Sequence, residues 1–261
     1  MPKVLVFDIE TAPMLSYVWG LWDQNVALNQ IENDWYVLSW AAKWLNDPPA
    51  KMMYADQRNA TTVENDKVIL KQIWHLLNKA DIVVTQNGKK FDVKKLNARF
   101  LLHGFKPPAS YRHIDTCEIS KKHFAFTSNK LEYLSKTFNK KYKKITKHGK
   151  YDGFELWRAC LKGDIKAWEE MKKYNIYDVL STEEIARKLI PWDNTINFNV
   201  YNKSDDKLLC SCGAKDFSKY GYSFSNAGKY QRFKCRKCGA EMKGTKNLLS
   251  LPKKQTRRVV R

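Results

Sequence analysis

The sequence predicts an α/β fold, a mixed β-sheet flanked by helices, with a small metal-stapled module towards the C-terminus. Three observations carry that expectation. Val4 to Thr11 (V-L-V-F-D-I-E-T) reads as a short buried strand, β-branched runs alternate downstream with helical patterns, and four of the six cysteines crowd into Cys210 to Cys238. At 261 residues, 43% hydrophobic and 13% aromatic, the chain can enclose one sizeable core and a satellite. No uninterrupted apolar run approaches the ~20 residues of a membrane span, and Val4 to Phe7 is too short for a signal-peptide core, so a cytoplasmic protein is expected.

Taken in order, the first strand ends in Asp8 and Glu10, whose period-two spacing puts both carboxylates on one face. Two carboxylates ~4 Å apart at an effective dielectric of ~20 repel by roughly 4 kcal/mol. The pair either caps the strand facing water or is held by a cation, of which a divalent metal is the simplest. Residues 13–22 are aromatic and irregular, and Tyr17, Trp19 and Trp22 are expected to pack in the core rather than stack on a base. Trp35 to Leu45 and Lys51 to Asp56, separated by Asn46-Asp47-Pro48-Pro49, form a hairpin that adds an antiparallel edge. Val68, Ile69, Ile73, Leu76 and Leu77 give helical spacing over 62–78. Ile82 to Thr85 is a strand that breaks at Gln86-Asn87-Gly88. The helical pattern from Phe91 to Leu102 then puts Asp92 at a helix start, where the macrodipole alone favours an acid by ~0.3–1 kcal/mol. His113 to Thr116 reads as the last strand, followed by helices over 118–123 and 130–138. Asp164 caps a long helix running to Leu189, with Trp168, Met171, Val179, Leu180 and Ile185 facing the core and Pro191 closing it. Within it, Tyr174 and Asp178 share one face, one turn apart.

The net charge of +20 is uneven: residues 203–261 carry 16 Lys/Arg against four Asp/Glu, or +12, and the first 202 carry +8. A polyanion, most commonly nucleic acid, is the expected partner. Asn139 to Lys150 carries six lysines, Lys143 and Lys144 among them, and reads as a solvated loop or one that contacts phosphate. These features divide the chain into a main domain over 1–192, a polar asparagine-rich linker over 193–206, a small module over 207–246, and a flexible basic tail over 247–261. The tail holds Lys253, Lys254, Arg257, Arg258 and Arg261.

Phe7-Asp8-Ile9-Glu10-Thr11, Asn87-Gly88-Lys89-Lys90-Phe91-Asp92 and Tyr174-Asn175-Ile176-Tyr177-Asp178 follow in an order that resembles the Exo I, II and III motifs of the DEDD superfamily of 3′-5′ exonucleases. Tyr174, preceded by Lys173 rather than His, resembles the DEDDy branch. Asn-Gly-x-x-Phe-Asp followed by Leu96 and Arg99 is most similar to the exonuclease domain of family-B DNA polymerases. The resemblance covers roughly residues 1–190 and implies a ribonuclease H-like fold. It also implies hydrolysis at DNA 3′ ends by a two-metal mechanism with Mg²⁺ or Mn²⁺. On that reading Asp8 bridges both ions, Glu10 and Asp178 hold the water-activating one, Asp92 helps hold the other, and Tyr174 orients the attacking water. A phenol with a pKa near 10 is a poor base at neutral pH, which leaves deprotonation to the metal. Asp115 also matches a family segment and is read as structural.

Cys210-Ser211-Cys212-Gly213 and Cys235-Arg236-Lys237-Cys238-Gly239 supply two thiolate pairs separated by 22 residues, the span of a zinc ribbon holding one tetrahedral Zn²⁺. Residues 230–235 resemble the ribbon of some transposases and DNA-binding proteins. Such a module builds little core without its metal. Expected nucleic-acid contacts are Asn87, Lys89, Lys143 and Lys144 in the main domain and Arg232, Lys234, Arg236 and Lys237 in the ribbon. Nothing in the residues separates ribose from deoxyribose, so an exoribonuclease is one alternative. A non-catalytic DNA-binding or recombination accessory protein is another, against which the retained acids and tyrosine argue.

Overall fold

The computed structural model describes residues 2–201 and 208–255. The chain divides into two compact units, Lys3–Ala186 and the part from Arg187 onward. In chain order the first contains β1 (Val4–Thr11), β2 (Leu15–Ser16), β3 (Ile31–Asn33), β4 (Val37–Trp44), β5 (Met53–Asp56), α1 (Lys67–Lys79), β6 (Ile82–Thr85), α2 (Asp92–Leu102), β7 (Arg112–Asp115), α3 (Thr116–His123), α4 (Leu131–Phe138), α5 (Glu155–Leu161) and most of α6 (Ile165–Leu189). Five of the strands make a mixed sheet in the order β5-β4-β1-β6-β7. β1 is central, parallel to β6 and antiparallel to β4. The outer neighbours follow suit, β7 parallel to β6 and β5 antiparallel to β4.

A central strand covered on both faces reads as a continuous apolar run, and Val4 to Phe7 is one. Leu5, Phe7 and Ile9 pack with Ile69, Leu70, Ile73 and Leu77 of α1 and Leu96 and Phe100 of α2. Each such fully buried side chain contributes ~1.5–3 kcal/mol. A second cluster joins Tyr36 and Leu38 to Leu156 and Cys160 of α5 and Trp168 and Met171 of α6. Strand alternation therefore turns Asp8 and Glu10 away from α1 and α2. All five residues expected to face the core from α6 are buried, and the Asp164 carboxylate caps the helix by accepting from the Lys166 and Ala167 amides.

Three local expectations are corrected. α1 begins at Lys67 rather than near residue 62, because the carboxylate of buried Asp66 accepts from the Val37 amide and the Arg99 guanidinium. α5 was not expected, since only Leu156 and Cys160 of its seven residues are buried and so short a pattern gives no period. Tyr17, Trp19 and Trp22 are not core residues: they are 69%, 96% and 83% exposed. They lie on an arm held by the short β2–β3 ladder, and both faces of the main sheet are already filled by helices.

The second unit is a three-stranded antiparallel sheet, β8 (Phe217–Ser225), β9 (Gly228–Cys235) and β10 (Glu241–Lys243), in the order β10-β9-β8. The expected linker is not structureless at 198–201: a 3-10 turn buries Phe198, and the Asn199 side chain accepts from the Leu209 amide. Lys253 and Lys254 end the short helix α7 (Leu251–Lys254) rather than lying in a flexible tail. Arg257, Arg258, Arg261 and linker positions 202–206 lie outside the described residues. Among the described residues no helix is long and apolar enough to cross a membrane.

Candidate functional site

One carboxylate oxygen each from Asp8, Glu10 and Asp178 lies within 4.8 Å of the other two. β1 presents the first two, and α6, packed across that face, presents the third. An octahedral Mg²⁺ with bonds of ~2.1 Å spans ~4.2 Å between opposite oxygens, so small side-chain movements would close these ligands on an ion. Asp178 Oδ1 is buried without a hydrogen-bond partner, an orphaned acceptor of the kind a cation satisfies. Burial pushes the Asp8 carboxyl well above its ordinary range, and Asp92, Asp178 and Glu10 add to the shift. Burial, then Asp178, pushes Glu10 up to about 8. Oxygen donors under this repulsion suit a hard divalent cation.

Asp92 is brought near the cluster but not into it. It opens α2, and its Oδ1 accepts from the Ile9 amide at 3.1 Å. Burial raises it to about 7 against the pull of that amide. The turn before it explains the Asn-Gly pair. Asn87 adopts φ 63°, a left-handed conformation that Asn tolerates, and a Cβ on Gly88 would stand 2.3 Å from Thr85 Oγ1. Asp115 clamps this turn, accepting from the Asn87 amide at 2.8 Å and the Lys89 amide at 3.0 Å while also capping α3 through the Cys117 amide. Its role is structural, as the sequence suggested.

Lys144, expected to face nucleic acid, instead turns its ammonium into the acids. It donates to Tyr174 Oη at 2.7 Å and to Asp178 Oδ2. Burial works against its charge, but Asp178 and Tyr174 more than offset this and hold it protonated. Lys89 pairs with Glu118, whereas Asn87 and Lys143 are exposed. In the ribbon Arg232 is half-buried, while Lys234, Arg236 and Lys237 are exposed.

Several residues that shape the site carry no signal in the sequence. Asn175 donates from Nδ2 to Asp8 Oδ2 at 2.7 Å and accepts from Ser39 Oγ at 3.1 Å. The serine thus fixes which end of the amide faces the carboxylate. The Trp157 ring meets Tyr174 edge-on at 5.9 Å. His148 packs against the same tyrosine at 4.7 Å.

The four thiols form a second cluster, also within 4.8 Å of one another. Cys210 and Cys238 sulfurs stand 3.4 Å apart and those of Cys212 and Cys235 3.7 Å apart. A tetrahedron with metal–sulfur bonds of ~2.3 Å requires ~3.8 Å, so the cluster is compatible with a zinc ribbon. Burial raises the Cys235 thiol, but the Cys238 and Lys237 amides outweigh it and bring the group down to about 7, which favours a thiolate ligand.

Among curated proteins none matches the sequence significantly. A solved structure of the family B DNA polymerase from the hyperthermophilic archaeon Pyrobaculum calidifontis is similar in fold, with a TM-score of 0.52 at 16% identity. The similarity covers 74% of this chain and 25% of that one, so this chain spans about a quarter of the polymerase's length. The RNase_H_2 family, described as RNase_H superfamily, matches residues 5–190, the stretch that carries the mixed sheet, the three acids and the tyrosine. The chain therefore belongs to the RNase_H_2 family of the RNase H superfamily.

Proposed function

We propose that this protein is a metal-dependent 3′-5′ exonuclease of the DEDDy type, acting on DNA ends, with the zinc ribbon adding grip on nucleic acid. The observation that carries the reading is the convergence of Asp8, Glu10 and Asp178 with Tyr174 one helical turn from Asp178 on α6. Asp8, Glu10 and Asp178 would hold a divalent cation, Mg²⁺ or Mn²⁺, with Asp92 placed to help hold a second beside Asp8. Ions bound there would supply water activation and stabilisation of the leaving oxygen in an in-line displacement. The chain's own residues set the geometry. Asn175 and Ser39 aim Asp8, and Tyr174, its ring lodged against His148 and Trp157, offers a hydroxyl to position the attacking water. Burial raises the Tyr174 phenol, which keeps it protonated and able to donate. One Zn²⁺ on Cys210, Cys212, Cys235 and Cys238 would order the ribbon.

The test is degradation of 5′- and 3′-labelled single-stranded DNA, duplex DNA and RNA with Mg²⁺, Mn²⁺ or EDTA. Release of 3′-terminal mononucleotides from DNA, abolished by EDTA, is expected. Preferential RNA cleavage would move the reading to an exoribonuclease, and metal-independent binding without cleavage would overturn it.

A further inference from the structure

The ribbon sheet has two faces with different chemistry. Cross-strand partners share a face, so Ser223 with Tyr230, Arg232 with Lys243 and Lys234 with Glu241 define one, and Phe224 with Lys229, Tyr222 with Gln231 and Lys219 with Phe233 define the other. On the first, the aromatic rings are already occupied. The Arg232 guanidinium lies 4.3 Å from the Tyr220 centroid, Lys243 lies over Tyr230, and Tyr220 bonds Glu241. On the second, Phe224 is 72% and Tyr222 43% exposed, two aromatics at i and i+2 near the tip of the hairpin. Lys229 stands opposite Phe224 with its ammonium 3.8 Å from the Tyr222 centroid, and Lys219 is exposed on the same face. Asp216 and Glu241 are the ribbon's only acids over 208–255. The first pairs with Arg236 and the second with Tyr220 and Arg232, so this face carries no negative charge.

We propose that Tyr222 and Phe224, flanked by Lys219 and Lys229, form a base-stacking platform for unpaired nucleic acid. The platform is distinct from the Arg232 and Lys234 face. Successive side chains on one face of a strand stand ~6.8 Å apart, so two neighbouring bases can each meet a ring while the lysines neutralise the phosphates between them. A duplex hides its base faces and cannot use the rings, whereas any unpaired base can. The exposed Phe224 ring, the two lysines, one of them lying over Tyr222, and the absence of acid on this face favour a single strand over a protein partner. The proposal rests on the reading of the chain as acting on nucleic acid.

The test is fluorescence anisotropy of the full chain carrying Asp8→Ala, and of the otherwise unaltered chain on a nuclease-resistant backbone, with a 20-mer oligothymidylate and a 20-bp duplex across a salt series. Loss of one stacked base is expected to weaken single-strand binding about 5- to 150-fold. Phe224→Leu and Tyr222→Leu, which keep apolar bulk, should each fall in that range, with duplex binding within about threefold of the parent. Stacking releases no counterions, so log K against log salt should keep its slope. Phe224→Trp should restore affinity, and zinc content should not change. Equal losses on both ligands, or no loss on the single strand, would overturn the platform. A parent that sediments as a dimer and a Phe224→Leu variant that does not would assign the face to a second copy instead. Hydrolysis of a trinucleotide is read in parallel. A chain that binds as expected but never cleaves would fail the nuclease reading alone.

Discussion

The two ligand clusters of this chain are made in opposite ways. The carboxylates converge because a full core holds β1 against α6, whereas the thiols are gathered by two short turns and a hairpin around a buried cluster of Cys210, Cys235 and Ala240. In the first region the fold positions the ligands. In the second the ligands are the core. A metal bound at the first would therefore add to a body already folded, and one bound at the second would make the fold.

The comparison is broken most severely at the carboxylates. Asp8→Ala should lower nuclease turnover by more than about 10³-fold, yet raise the metal-free melting midpoint, because one of several mutually repelling carboxylates is gone. Asp178→Ala should be as inactive but less stable than the parent, since it takes its partner carboxylate from the half-buried Lys144 ammonium. Calorimetry in EDTA separates the two. A fall in midpoint for Asp8→Ala would mean that the acids are structural.

Removing the ribbon's metal should have the reverse signature. Cys235→Ser, or 1,10-phenanthroline treatment, is expected to abolish amide-exchange protection over 208–255 while leaving that of 3–186 intact. If four or five of the ribbon's cations touch phosphate, duplex binding should become shallower in salt by roughly 3.6 to 4.5 units of slope. Retained protection in the ribbon would show that its strands fold without metal.

A smaller effect sharpens the role of the supporting shell. Asn175→Ala should weaken activation by Mg²⁺ about 10- to 100-fold, with maximal turnover recovered at saturating Mn²⁺. Asn175→Asp, although isosteric, should be worse in the metal-free state because it sets a carboxylate against Asp8. If Asn175→Asp melts at the parent's midpoint in EDTA, Asn175 does no more than pack.

An effect on stability alone tests the clamp beneath the Asn87 turn. Burial lowers His113 to about 4, with Asp115 and Glu118 opposing and Lys89 assisting, and its ring bonds Thr85 Oγ1 at 2.8 Å. The unfolded chain binds this proton near pH 6.5 and the folded one only near 4, so the contribution is present above 6.5 and lost as pH falls through that window. Relative to His113→Asn, the protein should lose up to about 3 kcal/mol between pH 6.5 and 4. Parallel stability profiles for the two proteins would exclude it.

Much of this was legible in the sequence where a residue's job is local. Val4 to Phe7 announced a doubly covered strand, Asp164 a helix cap, and Asn87-Gly88 a tight turn, because periodicity and backbone preference act over a few residues. Asn175, Ser39 and Trp157 were not legible. Each matters through a partner distant in the chain, and an asparagine in a helix looks the same whether it meets water or Asp8. The aromatic arm was misread for a related reason: hydrophobic character does not tell whether a core has room. The turn of Lys144 towards Tyr174 and Asp178 was not legible either, because a lysine run shows charge but not direction.

The central position of β1 has a consequence for the growing chain. Asp8 lies 167 residues before the asparagine that steadies it, an interval of roughly 8 to 33 s at ordinary synthesis rates of ~5–20 residues per second. During that time β1 can pair with β4 and β6, but the face that carries Asp8 and Glu10 has no α6 against it and Asp178 does not yet exist. The ribosome-bound fragment is a sheet with half a metal site. A chain that would degrade nucleic acid thus leaves the exit tunnel inert, beside an RNA template, and acquires its ligand set only when its longest helix docks.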